Sequence, residues 1–537
     1  MHIKKEIEDH LLPLLDDHYL FSDLQLLFTG DFIEMIIPKE NIKGTVKQFN
    51  SELDQMSDKF LIEHSESSES YVLYLNKEII LDDLKCQESF EIKQHKDEQV
   101  VAIDMSSPNV GKPMSYQHFR STIIGNIIAN TYDKKGFKTV KINHIGDWGL
   151  PLSSIILAIH KWGNIKAIEE NPTKELDELY QLYINNLQIN PYLEEETLQV
   201  FRQLTLKEGK VFETWVWLKD LSMKLFNKIY DTFGITFDSI KGESSYTDYN
   251  DQMIKMIEQN NKAIKKHHSL YLMIDDQEVL IQDIDGYSTY LTRDLAAAHY
   301  RYNEYGFDKA IYIIGKEQSE HFIKLKRILK QLNCDWYQSI QHIGYSPVMI
   351  ETIDKEIPNR EQMAILNIVG QFKTYIKQQL CVDTITAEKL AVNSLIYETL
   401  DHYRDEIITI DIDNFDDLLN NKALHLIKLL HVLKQFKLSC DLDETTNLIE
   451  DTEQNFRLLW HLRVFDLTVD QFLSNYDSVV LTNYLVKLFE ITHNYINLND
   501  LHDKIDLKSA DYNVVQLVIK VIEDSFELMG LSIINDL

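Results

Sequence analysis

Positive charge is scarce in this chain. Its 537 residues contain 54 Lys and Arg against 85 Asp and Glu, which gives a formal net charge of −31. A surface with this balance repels nucleic acid at long range unless its basic residues are clustered. Any nucleic-acid partner would therefore have to be held by a local basic patch.

Long apolar runs and cysteine are scarce too. No stretch reaches the roughly 18 apolar residues of a membrane-spanning helix, so we expect no membrane partner. The cysteines lie far apart and lack the spacing of metal ligands. They are Cys86, Cys334, Cys381 and Cys440. We interpret them as reduced thiols of a cytoplasmic protein and expect no metal-ligand cluster.

Proline and glycine are also few, with 9 and 17 residues, and this composition favours a helix-rich chain. The length is enough for about three or four domains. Strand and helix patterns alternate in "VVAIDM", "FRSTIIGNIIANTYDKKG" and "FKTVKIN", which predicts a βαβ unit with a parallel sheet. The segment before it mixes a helix with short alternating stretches, and the segment after about residue 375 has a helical pattern throughout.

Five blocks in one order resemble the arginyl-tRNA synthetases, a class I synthetase family. The blocks are "SSPNVGKP...HFRSTIIG", "NHIGDWG", "FDSIKGESSY", "TYLTRDLAAAHYRYNEYGFDKAIYIIGKEQSEHF" and "QHIGYSPV". The resemblance implies an α/β Rossmann-type catalytic domain with a helical insertion, a small α+β N-terminal domain and an all-α C-terminal bundle. It also implies L-arginine, ATP with Mg²⁺, and tRNA(Arg) as ligands.

Domain boundaries follow from the pattern and the resemblance together. We predict an N-terminal domain that resembles a tRNA-recognition domain, a catalytic domain with its insertion, a helical connector and a bundle that resembles an anticodon-binding domain. These are residues 1–92, 93–355 with the insertion at about 151–270, 356–440 and 441–537.

The resemblance implies an arginine pocket. An arginine side chain needs paired acceptors, because its guanidinium presents donors in a rigid fork. Tyr290 and Asp294 are four residues apart and would share one helix face. The family positions that match Asp104, Tyr290 and Asp294 contact the guanidinium, and those that match Asn109 and Gln318 contact the backbone end of the amino acid. Asp104 stands where some members have Glu, which keeps the charge and shortens the reach.

The nucleotide signature of class I synthetases, His-x-Gly-His, is altered. The matching residues are Ser115, Tyr116, Gln117 and His118. A helix start favours phosphate, and the signature's Gly lets adenine approach the backbone. Gln117 therefore predicts that its side chain obstructs the position of the purine, unless the side chain points away from the site. Four residues are assigned to the nucleotide side of the site: Gln117, Gly315, His321 and His342.

A second signature, Lys-Met-Ser-Lys, is absent from "VMIETIDKEIPNREQ", where it should follow the "HIGYSP" strand. Family members without it carry a Lys just before the first signature, and Lys112 occupies that position. Lys112, His118 and Ser115 are therefore the catalytic candidates, with Lys112 acting as a point charge on phosphates.

The C-terminal segment is strongly acidic. Residues 441–537 contain 6 Lys and Arg against 18 Asp and Glu, a formal charge of −12. Binding to nucleic acid relies on neutralisation of phosphates by Lys and Arg. We therefore expect this acidic bundle to bind a tRNA anticodon poorly, which makes tRNA(Arg) a doubtful partner. It would equally serve stability or dimerisation, and a monomer and a homodimer both stay open.

Three hypotheses remain from the sequence. The first is a divergent paralogue that binds L-arginine, with doubtful ATP binding, weakened or lost tRNA charging and possible use of arginine in another way. The second is a working arginine–tRNA ligase that relies on Lys112, His118 and backbone amides. The third is a non-catalytic interaction or arginine-sensing protein.

Overall fold

The computed structural model describes most of the chain. The described residues are 10–11, 14–15, 25–29, 32–43, 45–56, 61–78, 80, 92–95, 98–351, 364–439, 453–496 and 512–534. Two of the four cysteines, Cys86 and Cys440, lie outside them. Cys334 is buried and Cys381 exposed, and both are free thiols.

Fourteen strands and eighteen α-helices are found in the described residues. The strands are β1 (Gln25–Thr29), β2 (Phe32–Pro38), β3 (Leu61–Glu66), β4 (Ser70–Asn76), β5 (Val100–Asp104), β6 (Lys138–Ile145), β7 (Ser239–Gly242), β8 (Ala263–Lys266), β9 (Ser269–Ile274), β10 (Gln277–Gln282), β11 (Lys309–Gly315), β12 (Ile340–Tyr345), β13 (Val348–Glu351) and β14 (Ile408–Asp411). The helices are α1 (Val46–Leu53), α2 (Tyr116–Lys134), α3 (Leu150–Trp162), α4 (Ile165–Glu170), α5 (Pro172–Ile189), α6 (Tyr192–Thr205), α7 (Gly209–Phe233), α8 (Thr247–Glu258), α9 (Tyr290–Tyr305), α10 (Ser319–Gln331), α11 (Ile365–Leu380), α12 (Thr384–Leu400), α13 (Asp416–Leu419), α14 (Lys422–Ser439), α15 (Glu453–Arg463), α16 (Phe465–Asn475), α17 (Val479–Tyr495) and α18 (Tyr512–Met529).

The chain divides into two compact units. The first unit comprises Met1–His95, Val382–Tyr403 and Asp416–Leu537, and the second comprises Lys96–Cys381 and Arg404–Phe415. The domain boundaries proposed from the sequence are finer than this division and stay predictions.

A parallel sheet forms the centre of the second unit. Its five strands lie in the order β12-β11-β5-β6-β7, and all four pairings are parallel. Strand β5 is buried along most of its length, as its apolar run predicts. The helices of the insertion, α3 to α7, end at Phe233, and Ser239–Gly242 then forms the edge strand β7. The helical insertion is therefore shorter than the sequence pattern indicated.

Helix α2 follows β5 and packs closely against the sheet. A Cβ on Gly125 would lie 2.4 Å from the Cβ of Met105, so only glycine allows this approach. Arg120 is fully buried on the same helix. Its Nη1 donates to the carbonyl oxygens of Ser346 and Glu406, each at 2.7 Å, which fixes the start of α2 against the segments around β13 and β14.

The first unit combines a small sheet with a helical bundle. Strands β1 to β4 form an antiparallel sheet in the order β1-β2-β4-β3, and a capping box at Thr45 begins α1. In the bundle, the rings of His461 and Tyr484 stack at 4.4 Å. No helix among the described residues combines the length and the apolar content that a membrane crossing requires.

Candidate functional site

The first cavity, of about 410 Å³, lies at the carboxyl edge of the parallel sheet. Its wall includes Asp104 at the end of β5, Gly315 at the end of β11 and Gln117 in the first turn of α2. Strand β5 has β6 on one side and β11 on the other, so the chain reverses its winding direction at β5. Open parallel sheets bind ligands at such a switch point, and the cavity occupies this place.

The floor of the first cavity contains a buried ion pair. Arg301 Nη1 lies 2.8 Å from Asp104 Oδ2, and the two side chains are 3% and 5% exposed. The other oxygen, Oδ1, accepts a hydrogen bond from Ser107 Oγ at 3.2 Å. Both oxygens of Asp104 therefore have partners within the protein, and the charge of this acid is already compensated.

A second ion pair lies where the first cavity meets a second cavity, and Glu243 lines both. Glu243 Oε2 accepts a hydrogen bond from Arg293 Nε at 2.9 Å. Burial raises the pKa of Glu243 to about 7, and the charge of Asp294 adds to the rise, whereas Arg293 opposes it. Glu243 is therefore a carboxyl group that gains or loses its proton near neutral pH.

Helix α9 brings two predicted side chains into the first cavity. Thr289 caps the helix by accepting a hydrogen bond from the Thr292 amide, and Tyr290 and Asp294 follow one turn apart. Asp294 Oδ2 lies 2.7 Å from His321 Nε2. The Tyr290 hydroxyl is 3.4 Å from Gln318 Oε1, to which it donates a weak hydrogen bond. A phenol and a carboxylate thus face the same space.

Several polar atoms at the floor make no hydrogen bond of normal geometry with the described residues. They are both ring nitrogens of His144, Nε and Nη2 of Arg301 and the Tyr312 hydroxyl. Burial and then the charge of Arg301 lower the pKa of His144, so its ring is neutral at neutral pH. Arg301 and Tyr312 interact with each other, whereas the His144 ring nitrogens fit polar ligand atoms or ordered water, since buried polar groups in folded proteins are nearly always paired.

Asn109 depends on a glycine for its position. A Cβ on Gly146 would lie 2.1 Å from Asn109 Oδ1, so any other residue would displace the amide. The Val110 amide donates to the Gly146 carbonyl, and the Gly146 amide donates to the Pro108 carbonyl, each at 3.0 Å. The loop after β5 and the end of β6 therefore hold Asn109 where the two cavities meet.

The start of α2 faces the first cavity. Ser115 is the N-cap residue and makes no side-chain cap bond. Its Oγ lies 3.1 Å from His118 Nδ1 instead. Burial, together with the positive charge of Lys112, lowers the pKa of His118 to about 4. At neutral pH His118 is therefore neutral and does not bring a positive charge to the helix start.

Gln117 is bonded across the wall of the first cavity. Its side-chain Oε1 accepts a hydrogen bond from the Val348 amide at 3.0 Å, and its carbonyl oxygen accepts one from the Tyr345 hydroxyl at 3.3 Å. The side chain still contributes to the cavity lining. The first turn of α2 is thus attached to the end of β12 and to the first residue of β13.

Lys112 lies at the second cavity, which has a volume of about 400 Å³. Its Nζ is 5.1 Å from the centre of the Tyr180 ring, on α5 of the helical insertion, which is a cation–π distance. The two cavities share four lining residues: Asn109, Gly146, Glu243 and Tyr290.

Comparison with known proteins identifies the family. The family model for tRNA synthetases class I (R), catalytic domain, matches residues 80–366. An arginine–tRNA ligase of Enterococcus faecalis is 30% identical over 455 residues, which cover 80% of this chain and 79% of that protein. The chain belongs to the arginyl-tRNA synthetase family.

Other relatives match over different lengths. An arginine–tRNA ligase of Streptococcus agalactiae is 41% identical over 252 residues, which cover 46% of this chain and only 45% of the relative, so this match spans less than half of that protein. One from Pediococcus pentosaceus is 27% identical over 99% of both chains. Among solved structures, arginyl-tRNA synthetase from Plasmodium falciparum has a TM-score of 0.72 at 20% identity, covering 99% of this chain and 97% of that chain. At this identity the likeness shows the fold, and the fold class and family expected from the sequence are confirmed.

Eight of the twelve site residues expected from the sequence line the first cavity. They are Asp104, Asn109, Gln117, His118, Tyr290, Asp294, Gly315 and Gln318. The other four lie beside it. Lys112 lines the second cavity, Ser115 contacts His118, His321 contacts Asp294, and His342 stacks on Phe322 at 4.5 Å. Their roles in this family member stay predictions.

Three residues of the site were missed from the sequence. Glu243 lies in the quoted block "FDSIKGESSY", between Gly242 and Ser244. An acid between two small residues was the pattern from which it could have been predicted as a site residue. Arg301 follows Asp294 by seven residues, so helical spacing places both on one face of α9. His144 lies in the quoted block "NHIGDWG", and it lines the first cavity.

Proposed function

We propose that this member of the arginyl-tRNA synthetase family binds L-arginine in the first cavity and activates it with ATP only weakly or not at all. The observation that carries the proposal is the grouping of Tyr290, Asp294 and Glu243 around one cavity at the switch point of the sheet. A volume of about 410 Å³ falls within the roughly 300–1,000 Å³ of small-molecule sites.

The acidic lining of the first cavity suits a cationic ligand. Four acidic side chains, Asp104, Glu243, Asp294 and Glu317, line this cavity. Arg301 compensates Asp104 and Arg293 compensates Glu243. The partner of Asp294 is a histidine, His321, whose Nε2 lies 2.7 Å from Asp294 Oδ2. Asp294 is thus paired with a histidine and not with an arginine, so a guanidinium can approach Asp294 and the Tyr290 hydroxyl with its planar donors.

The other end of an amino acid has polar partners available. Asn109 is held beside Gly146, and Gln318 already contacts the Tyr290 hydroxyl. Both side chains carry amide donors and acceptors, which suit an α-ammonium and a carboxylate. The chain thus has groups to bind and orient both ends of arginine.

The nucleotide half of the site supports only weak activation. Class I enzymes stabilise the charge that builds on the phosphates, and removing one preorganised donor costs about 3–4 kcal/mol in similar sites. Here Ser115 replaces a histidine, His118 is neutral because burial lowers its pKa to about 4, and Lys112 points to the Tyr180 ring. The residues present do not fit ATP in the way the signature requires.

Calorimetry with L-arginine tests the binding proposal. Asp294→Asn removes the acid that is least compensated and should weaken arginine binding by about a hundredfold or more, since leaving a charge unpaired in a buried site costs about 3–5 kcal/mol. Glu304→Gln is the matched control, because Glu304 is exposed on the same helix. Equal arginine affinity in the two variants would contradict the pocket.

A working arginine–tRNA ligase is the second candidate function. The match to the Pediococcus pentosaceus ligase over 99% of both chains favours it, as does the presence of His118 and Lys112. Pyrophosphate exchange with ATP, arginine and tRNA(Arg) separates the candidates. Robust exchange and charging would establish the ligase and overturn the weak-activation proposal. If calorimetry detects no binding of arginine, a non-catalytic role in protein interaction is favoured instead.

A further inference from the structure

We propose that the Gln117 side chain is a built-in occupant of the first cavity, which takes the hydrogen bond that a nucleobase would otherwise make with the Val348 amide. Gln117 thereby acts as the residue that decides whether a purine nucleotide can bind. This inference rests on the proposed weak use of ATP and gives its physical cause.

The backbone geometry around Gln117 is the first support. Val348 is the first residue of β13, whose sheet partner β14 runs parallel to it. The Val348 amide donates to Gln117 Oε1 at 3.0 Å, and so it is directed toward the first turn of α2. If the Gln117 side chain were absent, this N–H would lose its acceptor beside the first turn of α2 and would need another.

The groups near this amide match the parts of a nucleotide. An aromatic base offers ring nitrogens as acceptors in a plane, which is what a lone backbone N–H recognises. The first-turn amides of α2, beside the same cavity, favour phosphate. A nucleotide whose base accepted a hydrogen bond from the Val348 amide and whose phosphates lay toward Ser115 would therefore need the space that the Gln117 side chain fills. It would also need the hydrogen bond that Gln117 makes.

A second contact keeps Gln117 in place. The Tyr345 hydroxyl donates to the Gln117 carbonyl oxygen at 3.3 Å. Tyr345 itself is only 6% exposed, at the end of β12. The backbone and the side chain of Gln117 are therefore bonded to two successive strands, and the base would have to displace the side chain while the backbone stays fixed.

Binding of ATP and of adenosine to three proteins tests the inference by calorimetry. Gln117→Gly removes the side chain and should bind both ligands at least tenfold more tightly than the wild type. Gln117→Met keeps the length but lacks the acceptor, so it still fills the space and should gain less than about threefold. If the glycine variant folds poorly, which a thermal unfolding curve shows, Gln117→Ala replaces it with the same expectation.

Two results would overturn the inference. Unchanged ATP and adenosine affinity in Gln117→Gly would show that the side chain blocks nothing. Weaker affinity would show that Gln117 holds the base with its carboxamide, as glutamine can do with adenine. Arginine titrations of the same proteins keep this separate from the proposed function, because arginine binding can fail while the nucleotide result stands.

Discussion

The ion pair between Asp104 and Arg301 gives the sharpest stability prediction. Its side chains are 5% and 3% exposed and its charged atoms are 2.8 Å apart. Removing one partner of such a pair leaves a buried charge without compensation, which costs about 3–5 kcal/mol. Arg301→Met keeps most of the side-chain volume and should lower the free energy of unfolding of the second unit by this amount.

A surface pair of the same length serves as the matched control. Arg327 Nη1 lies 2.7 Å from Asp275 Oδ2, but these side chains are 55% and 67% exposed. Solvent screens this pair, so Arg327→Met should cost less than about 1 kcal/mol. The two substitutions are chemically identical, and burial alone distinguishes them.

Urea unfolding followed by tryptophan fluorescence measures both variants, because five of the six tryptophans lie in the second unit. Adding Asp104→Asn to Arg301→Met removes the orphaned charge and should recover most of the lost stability, since a buried pair can often be replaced as a whole at little cost. The reasoning is refuted if Arg301→Met costs no more than Arg327→Met, or if the second substitution lowers stability further.

Two further predictions concern the wall of the first cavity. The folded protein holds the Glu243 proton more tightly than the unfolded chain does. The unfolding free energy of the wild type should therefore fall, relative to that of Glu243→Gln, by up to about 3 kcal/mol as pH rises from about 4.5 to about 7. Urea titrations of the two proteins at each pH measure this difference, and identical pH profiles would contradict the raised pKa. Gly146→Ala places a Cβ against Asn109 Oδ1 and should weaken arginine binding about tenfold by calorimetry, whereas Gly370→Ala, where a Cβ meets nothing within 4 Å, should leave it unchanged.

The part of the fold that the sequence predicted depends on local patterns. The buried run "VVAID" and the helix after it indicated a βαβ unit, and β5, α2 and β6 form one. Strand β7 was missed because it is an edge strand of only four residues, Ser239–Gly242, of which only the last is buried. Too few residues of this strand show an alternating pattern for the sequence to separate it from the preceding helices.

Within the site, the spacing of residues along the sequence predicted which side chains share a helix face, but it did not predict the residues with which they pair. Four residues separate Tyr290 from Asp294, and helical periodicity is enough to place both on one face. The pairing of Asp104 with Arg301 joins the end of β5 to the third turn of α9, and no local pattern connects them. Whether the Gln117 side chain leaves the purine position free was an open alternative in the sequence, and its hydrogen bond to the Val348 amide joins it to a strand more than two hundred residues later.

Three of the acids that line the cavity, Asp104, Glu243 and Asp294, have basic partners that differ in how readily they can be displaced. Arg301 cannot leave Asp104 without exposing a buried charge, and Arg293 keeps its own charge at all ordinary pH values. Asp294 is paired instead with His321, and these two side chains are each 17% exposed. An entering guanidinium should therefore displace His321 from Asp294 and leave the other two pairs intact.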